Sequence, residues 1–220
     1  MRYRGFLGLI VTALALVASA QEDPFAGKRV VRVLEEPRHR VVYREADLYL
    51  LDVQIQAGDT TLPHTHDSAI LYTFIDLPDG RGVGATISEV DYAEQPFTHE
   101  VANPGPGMIH IIALANYGPG SSSKKGVRSV LGEPQLENPW FRSFRVSLNP
   151  GEETDVIVDT DPSVVIQVGE GTVHVTREEG LTEALVRPGS WVWRQASSPF
   201  RIRNSGPDVA ELVVSAARIQ

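Results

Sequence analysis

Short runs of alternating apolar and polar residues, bounded by Gly, Pro, Asp or Asn, recur along this chain of 220 residues. Period two marks strands that bury one face, and helical periodicity is almost absent. Leu48 to Ile55 is one such run and stops at Ala57-Gly58-Asp59. Ala69 to Ile75 is the next, followed by Asp79-Gly80, a pair that favours a tight hairpin. Ile109 to Leu114 closes the first half. In the second half Phe141 to Leu148 runs into Pro150-Gly151, and Val164 to Val168 and Val173 to Val175 flank a hairpin signal, Gly169-Glu170-Gly171. Trp191 to Trp193 follows Pro188-Gly189, and Glu211 to Ser215 ends the pattern. Many short strands at regular spacing predict an all-β sandwich or barrel.

The two halves repeat each other. Leu50-Leu51-Asp52-Val53-Gln54-Ile55-Gln56-Ala57-Gly58 lies 93 positions before Ser143-Phe144-Arg145-Val146-Ser147-Leu148-Asn149-Pro150-Gly151. His99-Glu100-Val101-Ala102-Asn103-Pro104-Gly105 lies 101 positions before Phe200-Arg201-Ile202-Arg203-Asn204-Ser205-Gly206. The paired segments keep their order, and the second copy carries eight more residues between them. Self-similarity of this kind predicts one β unit used twice. Tyr117 to Gly126, rich in Gly and Ser, reads as a linker or exposed loop between the copies.

The first twenty residues read as an address. Arg2 and Arg4 precede a largely apolar run from Phe6 to Val17, and Ala18-Ser19-Ala20 supplies the small residues of a cleavage site. That run is too short for a bilayer, which takes about 20 apolar residues. A Sec-type signal cleaved after Ala20, and a secreted or periplasmic location, are the expectation. Its removal takes away Arg2 and Arg4, leaving 18 basic residues against 28 acidic and a net charge of −10. Such a chain repels nucleic acid and anionic membrane surfaces, which leaves a small-molecule, sugar or protein partner. Cysteine is absent, so neither disulfides nor thiolate ligands are available. Residues 21–40 read as a charged N-terminal arm, with Val30 to Leu34 offering an edge strand.

Six histidines carry the candidate chemistry: His39, His64, His66, His99, His110 and His174. His64 and His66 stand two apart, so on a strand both imidazoles share a face, with Cα atoms about 7 Å apart. That span suits two ligands with metal–nitrogen bonds of about 2 Å. His99, opening the stretch His99 to Asn103, is the candidate third ligand. His39 lies between Arg38 and Arg40, His110 aligns with Glu211 in the repeat, and His174 falls in an expected hairpin; all three read as surface residues.

Gly58, five residues, His64, one residue and His66 resemble the first cupin motif, G-x5-H-x-H, and His99-x3-Asn103 resembles the end of the second, H-x3-N. The resemblance to the cupin superfamily implies an all-β fold of two tandem double-stranded β-helix (jelly-roll) barrels, with a metal held inside. The implied organisation is a signal at 1–20, an arm at 21–40, a first barrel at 41–116, a linker at 117–139 and a second barrel at 140–218. Cupins of the common type add a glutamate after the second histidine, with three or four residues intervening. Here those positions hold Ile70 and Leu71. The remaining set, His64, His66 and His99, resembles that of cupins with three histidines and no carboxylate, among them thiol and diketone dioxygenases. Asp67 and Tyr72 are the nearby oxygen donors. In the second copy the matching positions are Ile157, Asp159 and Phe200, no transition-metal set; Trp191, Trp193 and Phe200 suggest a barrel filled by side chains.

Three functions fit these residues. The favoured one is an exported bicupin holding one divalent transition metal, Fe(II) before Mn, Ni or Zn, and acting as a dioxygenase on a small organic substrate. A zinc hydrolase or an isomerase would use the same ligands for other chemistry. A non-catalytic scaffold or binding protein for a sugar, small ligand or protein would suit the degenerate second barrel. Pairing into a homodimer through edge strands is implied by the resemblance. Because free imidazole titrates near about 6.5, metal affinity is expected to fall steeply below about pH 6.

Overall fold

The computed structural model describes residues 24–80, 82–121 and 129–219, so the signal expected at 1–20 and part of the linker lie outside the described residues. Sixteen strands follow in order: β1 (Val31–Arg32), β2 (His39–Glu45), β3 (Leu48–Ile55), β4 (His64–His66), β5 (Ala69–Asp76), β6 (Thr86–Glu89), β7 (Phe97–His99) and β8 (Ile109–Asn116) in the first half. The second half holds β9 (Leu136–Glu137), β10 (Phe141–Leu148), β11 (Ser163–Gln167), β12 (Val173–Arg177), β13 (Thr182–Leu185), β14 (Trp191–Arg194), β15 (Phe200–Asn204) and β16 (Ala210–Ala217). Single 3-10 turns span Val33–Glu35 and Asp91–Ala93. Every stretch read as a strand from its alternation is one.

Each half pairs a five-stranded sheet with a three-stranded one: β2-β3-β8-β5-β6 with β1-β4-β7, then β14-β11-β16-β10-β9 with β13-β12-β15. Leu51, Val53 and Ile55 of β3 point into the first barrel with Ile70, Ala113 and Ala115. Leu48 and Leu50 point the other way and meet Leu71, Ile112 and Leu114, then Phe141, Val164, Ile166 and Val213 of the second half. The two large sheets therefore pack face to face. With both faces covered, their central strands carry almost continuous apolar sequence rather than strict alternation. Full burial of each such side chain contributes roughly 1.5–3 kcal/mol.

Three expectations are corrected here. Gly169-Glu170-Gly171 joins no hairpin: β11 and β12 lie in different sheets, and the segment turns a corner held by Gln167, whose amide donates to the carbonyls of Gly169 at 3.0 Å and Gly171 at 2.9 Å. Trp191 and Trp193 do not fill the second barrel. Both pack on Tyr43 of the first, the Trp193 ring at 4.8 Å, and Trp193 Nε1 donates to Glu45 at 3.0 Å. Phe200 does lie inside, with Ile157, Val165, Val175, Ile202 and Val214. Asp79-Gly80 makes a local turn, Gly80 N–H to Leu77 O at 2.8 Å, but within a longer β5–β6 connection than a tight hairpin.

The duplication extends to single hydrogen bonds. Asn103 Nδ2 donates to the carbonyls of Ile55 and Gly107, both at 2.8 Å, and its Oδ1 accepts from Gly105 N–H at 3.1 Å. Asn204 repeats this with Leu148 at 2.9 Å, Asp208 at 2.7 Å and Gly206 at 2.9 Å. Thr61 and Thr154 likewise accept from the N–H groups of Val101 and Ile202. The motif asparagine is thus a staple that fixes the segment after His99 and its counterpart after Phe200, and it occurs in both barrels.

Candidate metal centre

The small sheet of the first barrel assembles the site. β4 and β7 run antiparallel with His64 opposite His99 and His66 opposite Phe97. Residues directly opposite share a face, as do residues two apart, so all three imidazoles project to one side. Thr65 and Thr98 occupy the other side and join hydroxyls at 2.8 Å. On the far edge of β4, β1 pairs in parallel, Val31 opposite His64. The edge strand expected within Val30 to Leu34 therefore exists, two residues long.

One nitrogen from each of His64, His66 and His99 falls within 4.8 Å of the others, which among the described residues is the one such group of three or more ligand side chains. The Nε2 atoms of His66 and His99 are 3.1 Å apart. His64 Nδ1 donates to the carbonyl of Leu62 at 2.8 Å, which leaves the Nε2 lone pair facing its neighbours. That Nε2 is buried without a hydrogen-bond partner. Burial, and then the neighbouring rings, lower the pKa values: His66 to about 3, His64 to about 4 (against a raising hydrogen bond to Leu62), and His99 in the same direction. All three are neutral at neutral pH, the form a metal requires. A buried imidazole nitrogen with no partner, beside two more neutral rings, fits a divalent cation better than it fits a satisfied polar core.

The oxygen donors near the motif do not complete the set. Asp67 turns to Arg32, at 2.9 Å, and to the Tyr117 hydroxyl, at 2.8 Å. The Tyr72 hydroxyl lies 3.4 Å from His66 Nδ1, behind the ring rather than among the converging nitrogens. Burial pushes its pKa up, so it stays a neutral phenol.

The surface reading of His39 and His110 is overturned. His39 is only 7% exposed, its ring centre 4.5 Å from that of His64, and its Nδ1 is 2.9 Å from Glu36 Oε2. Glu36 is itself buried; it also accepts from Leu62 N–H at 3.2 Å and from the backbone N–H of Arg38. Burial works to raise Glu36, but these hydrogen bonds and the His39 ring outweigh it and bring it down to about 2. The signal missed was Glu36-x-x-His39 in a segment that looked merely charged. His110 is largely buried between the barrels, where Nε2 meets Asp52 at 2.9 Å. His174 is half-buried and pairs with Ser205 at 2.7 Å, away from the triad.

A cavity of about 280 Å³ opens beside the triad, with His39, His66 and His99 in its lining. Val53, Ile55, Phe74, Ile109 and Ile111 make much of the rest apolar, and Tyr72, Tyr92 and Glu89 add polar atoms. Tyr92 and Phe97 stack at 5.3 Å, and Phe97 is 44% exposed.

The second barrel holds no counterpart. Ile157 bridges Phe200 as His64 pairs with His99, but both side chains are buried in an apolar core. Asp159 pairs with Arg142 at 2.8 Å.

No family model matches the chain, and no curated protein matches it in sequence. Solved structures do match in shape. AerE from Microcystis aeruginosa is similar over 80% of this chain and 90% of its own, with a TM-score of 0.57 and 10% identity. A cupin domain from Bordetella pertussis covers 44% of this chain and 99% of its own, at 19% identity and a TM-score of 0.35. An RmlC-like cupin from Methanocaldococcus jannaschii covers 44% of this chain and 84% of its own, at 18% identity and a TM-score of 0.36. The fold is shared with AerE over most of both chains, and one β unit is built twice in this chain. In its first copy a three-histidine cluster is compatible with metal binding; the second copy has lost it.

Proposed function

We propose that this protein is an exported bicupin that binds one divalent transition metal through His64, His66 and His99. It presents that metal to a small organic substrate, with Fe(II)-dependent oxygenation as the favoured reaction. The observation that carries the reading is His64 Nε2, fully buried, neutral and without a partner, aimed among two further imidazoles. A partnerless buried acceptor costs roughly 1–3 kcal/mol, a cost that an ion removes.

Bound there, Fe(II) would supply open positions at which a substrate and dioxygen meet. The chain's own residues do the rest. The apolar wall of Val53, Ile55, Ile109 and Ile111 binds the non-polar part of the substrate and excludes water. Tyr72, held neutral, orients the His66 ring. Glu89 and Tyr92 select for a polar group at the mouth. The size of the cavity favours a substrate of few heavy atoms, at the small end of the usual range of about 300–1,000 Å³ for ligand pockets. The net charge of −8 supports an uncharged or cationic partner rather than nucleic acid.

Elemental analysis of the exported protein, followed by anaerobic loading with Fe(II) and oxygen-uptake assays on small apolar substrates, tests this. Iron with substrate-dependent uptake supports it; zinc without uptake moves the reaction to hydrolysis. A second reading, binding without turnover, is favoured by the side-chain-filled second barrel. It requires that ligand binding survive replacement of His64 and His66 by alanine.

A further inference from the structure

The segment before β2 brings a fourth imidazole to the triad. The 3-10 turn Val33–Glu35 folds back under β4, Glu36 caps the Leu62 N–H, and Arg38 ties the turn to Asp59 at 3.1 Å. His39, the first residue of β2, is thereby held with its ring centre 4.5 Å from His64 and 6.4 Å from His66. For metal–nitrogen bonds of about 2 Å, two imidazoles at right angles around one ion have centres about 4.5 Å apart, and two opposed ones about 6.4 Å. Within the triad itself the ring centres lie 5.1, 4.6 and 5.0 Å apart, between the right-angle spacing and that of a tetrahedron. The His39 nitrogen stands outside the set that converges within 4.8 Å, so its ring must move towards the triad to join it.

The outer hydrogen bond points the same way. Histidines that ligate metals donate their other ring N–H to a carboxylate or a backbone carbonyl, which fixes the tautomer. His64 does so with Leu62, and His39 does so with the buried carboxylate of Glu36. Each leaves Nε2 as the free lone pair, and His39 borders the cavity that the triad borders.

We propose that His39 is the fourth protein ligand of the metal and that Glu36, bound to its far nitrogen, is the anionic group of the site. The proposal rests on the three-histidine reading above. It places the missing carboxylate one shell out: the motif positions hold Ile70 and Leu71, while Glu36 supplies the negative charge from the arm. His39, His64, His66 and His99 would then hold the ion, which would still offer open positions to a substrate and dioxygen.

The test uses the chelator-stripped full chain and Zn(II), a redox-silent probe. In wild-type protein labelled with ¹⁵N-histidine, zinc is expected to shift the ring nitrogens of four residues, His39, His64, His66 and His99, while His110 and His174 stay in place. In competition with a chromophoric chelator, His39→Ala is expected to weaken zinc at least about 100-fold and Glu36→Gln about 10–100-fold, with His174→Ala unchanged. Three shifted rings in the wild type, or wild-type affinity in a folded His39→Ala, overturns the proposal and leaves the triad standing. Failure of the wild type to bind zinc, or wild-type affinity in His64→Ala, overturns the triad reading and the proposal with it. The wild-type spectrum decides even where a variant does not fold.

Discussion

His64 and Ile157 occupy the same place in the two barrels, each facing the strand opposite, His64 to His99 and Ile157 to Phe200, and each is almost completely buried. The second barrel therefore shows what this scaffold does when no ligand is required of it: the same positions become apolar core. Replacing a set of buried polar groups by apolar ones of similar shape is close to neutral or stabilising. The double variant His64→Ile with His99→Phe is expected to fold, to lose all affinity for divalent metals, and to melt no lower than the metal-stripped wild type. Thermal melts with and without added zinc check both halves of this expectation.

The pH window of the site differs from that expected of free imidazoles. His64 and His66 are lowered to about 4 and about 3 by burial and by neighbouring rings. A histidine depressed on folding is protonated first in the unfolded chain, so the unfolded state binds more protons and stability falls as pH falls. The loss starts near the unfolded value of about 6.5, at up to about 1.4 kcal/mol per pH unit for each ring, and levels off once the folded-state values are passed. Protons then compete with a metal for the folded site mainly near pH 3–4, not from about pH 6. Zinc affinity measured on protein shown to be folded should hold to about pH 5. A steep fall beginning at pH 6 in folded protein would contradict the buried, neutral triad.

Contact between the barrels depends on a glycine. Gly189 has φ +81°, and a Cβ there would lie 2.3 Å from Cε1 of His110, whose ring is held by Asp52. Gly189→Ala is expected to destabilise by about 1–3 kcal/mol, through overpacking and the left-handed backbone. Combining it with His110→Ala should return part of that loss, and chemical denaturation of the single and double variants measures the coupling.

The asparagine staples should matter to stability equally but to metal unequally. Loss of a side chain that satisfies buried carbonyls costs about 1–3 kcal/mol, so Asn103→Ala and Asn204→Ala should each lower the melting temperature. Asn103 anchors the segment that follows His99, so only its replacement should also weaken zinc. Equal effects on zinc would show that the staple does not position the site.

Trp193 joins the barrels through Tyr43 and Glu45. Its replacement by alanine is expected to cost about 3–5 kcal/mol, as for other large aromatic truncations in a core. Because the large sheets share one core, unfolding should remain a single transition in the wild type and split, if at all, only in this variant; calorimetry distinguishes the two.

The sequence by itself determined the strands, their duplication and the triad. Period two places His64 and His66 on one face whatever the surroundings, and two matched segments in the same order, at offsets of 93 and 101, identify equivalent positions without any structure. Which face meets which was decided only in three dimensions. In Leu48–Ile55 both faces are apolar, so the pattern could not say that one lines a barrel and the other meets the second barrel, nor that Trp191 and Trp193 belong to that meeting. His39 shows the same division. Among Arg38 and Arg40 it looks solvated, and its burial comes from a carboxylate, Glu36, that reaches Leu62, 26 positions away. Local alternation carries the preference of a residue for one side of its own strand. Burial and ligand geometry arise from segments distant in sequence, and no spacing within either segment encodes them.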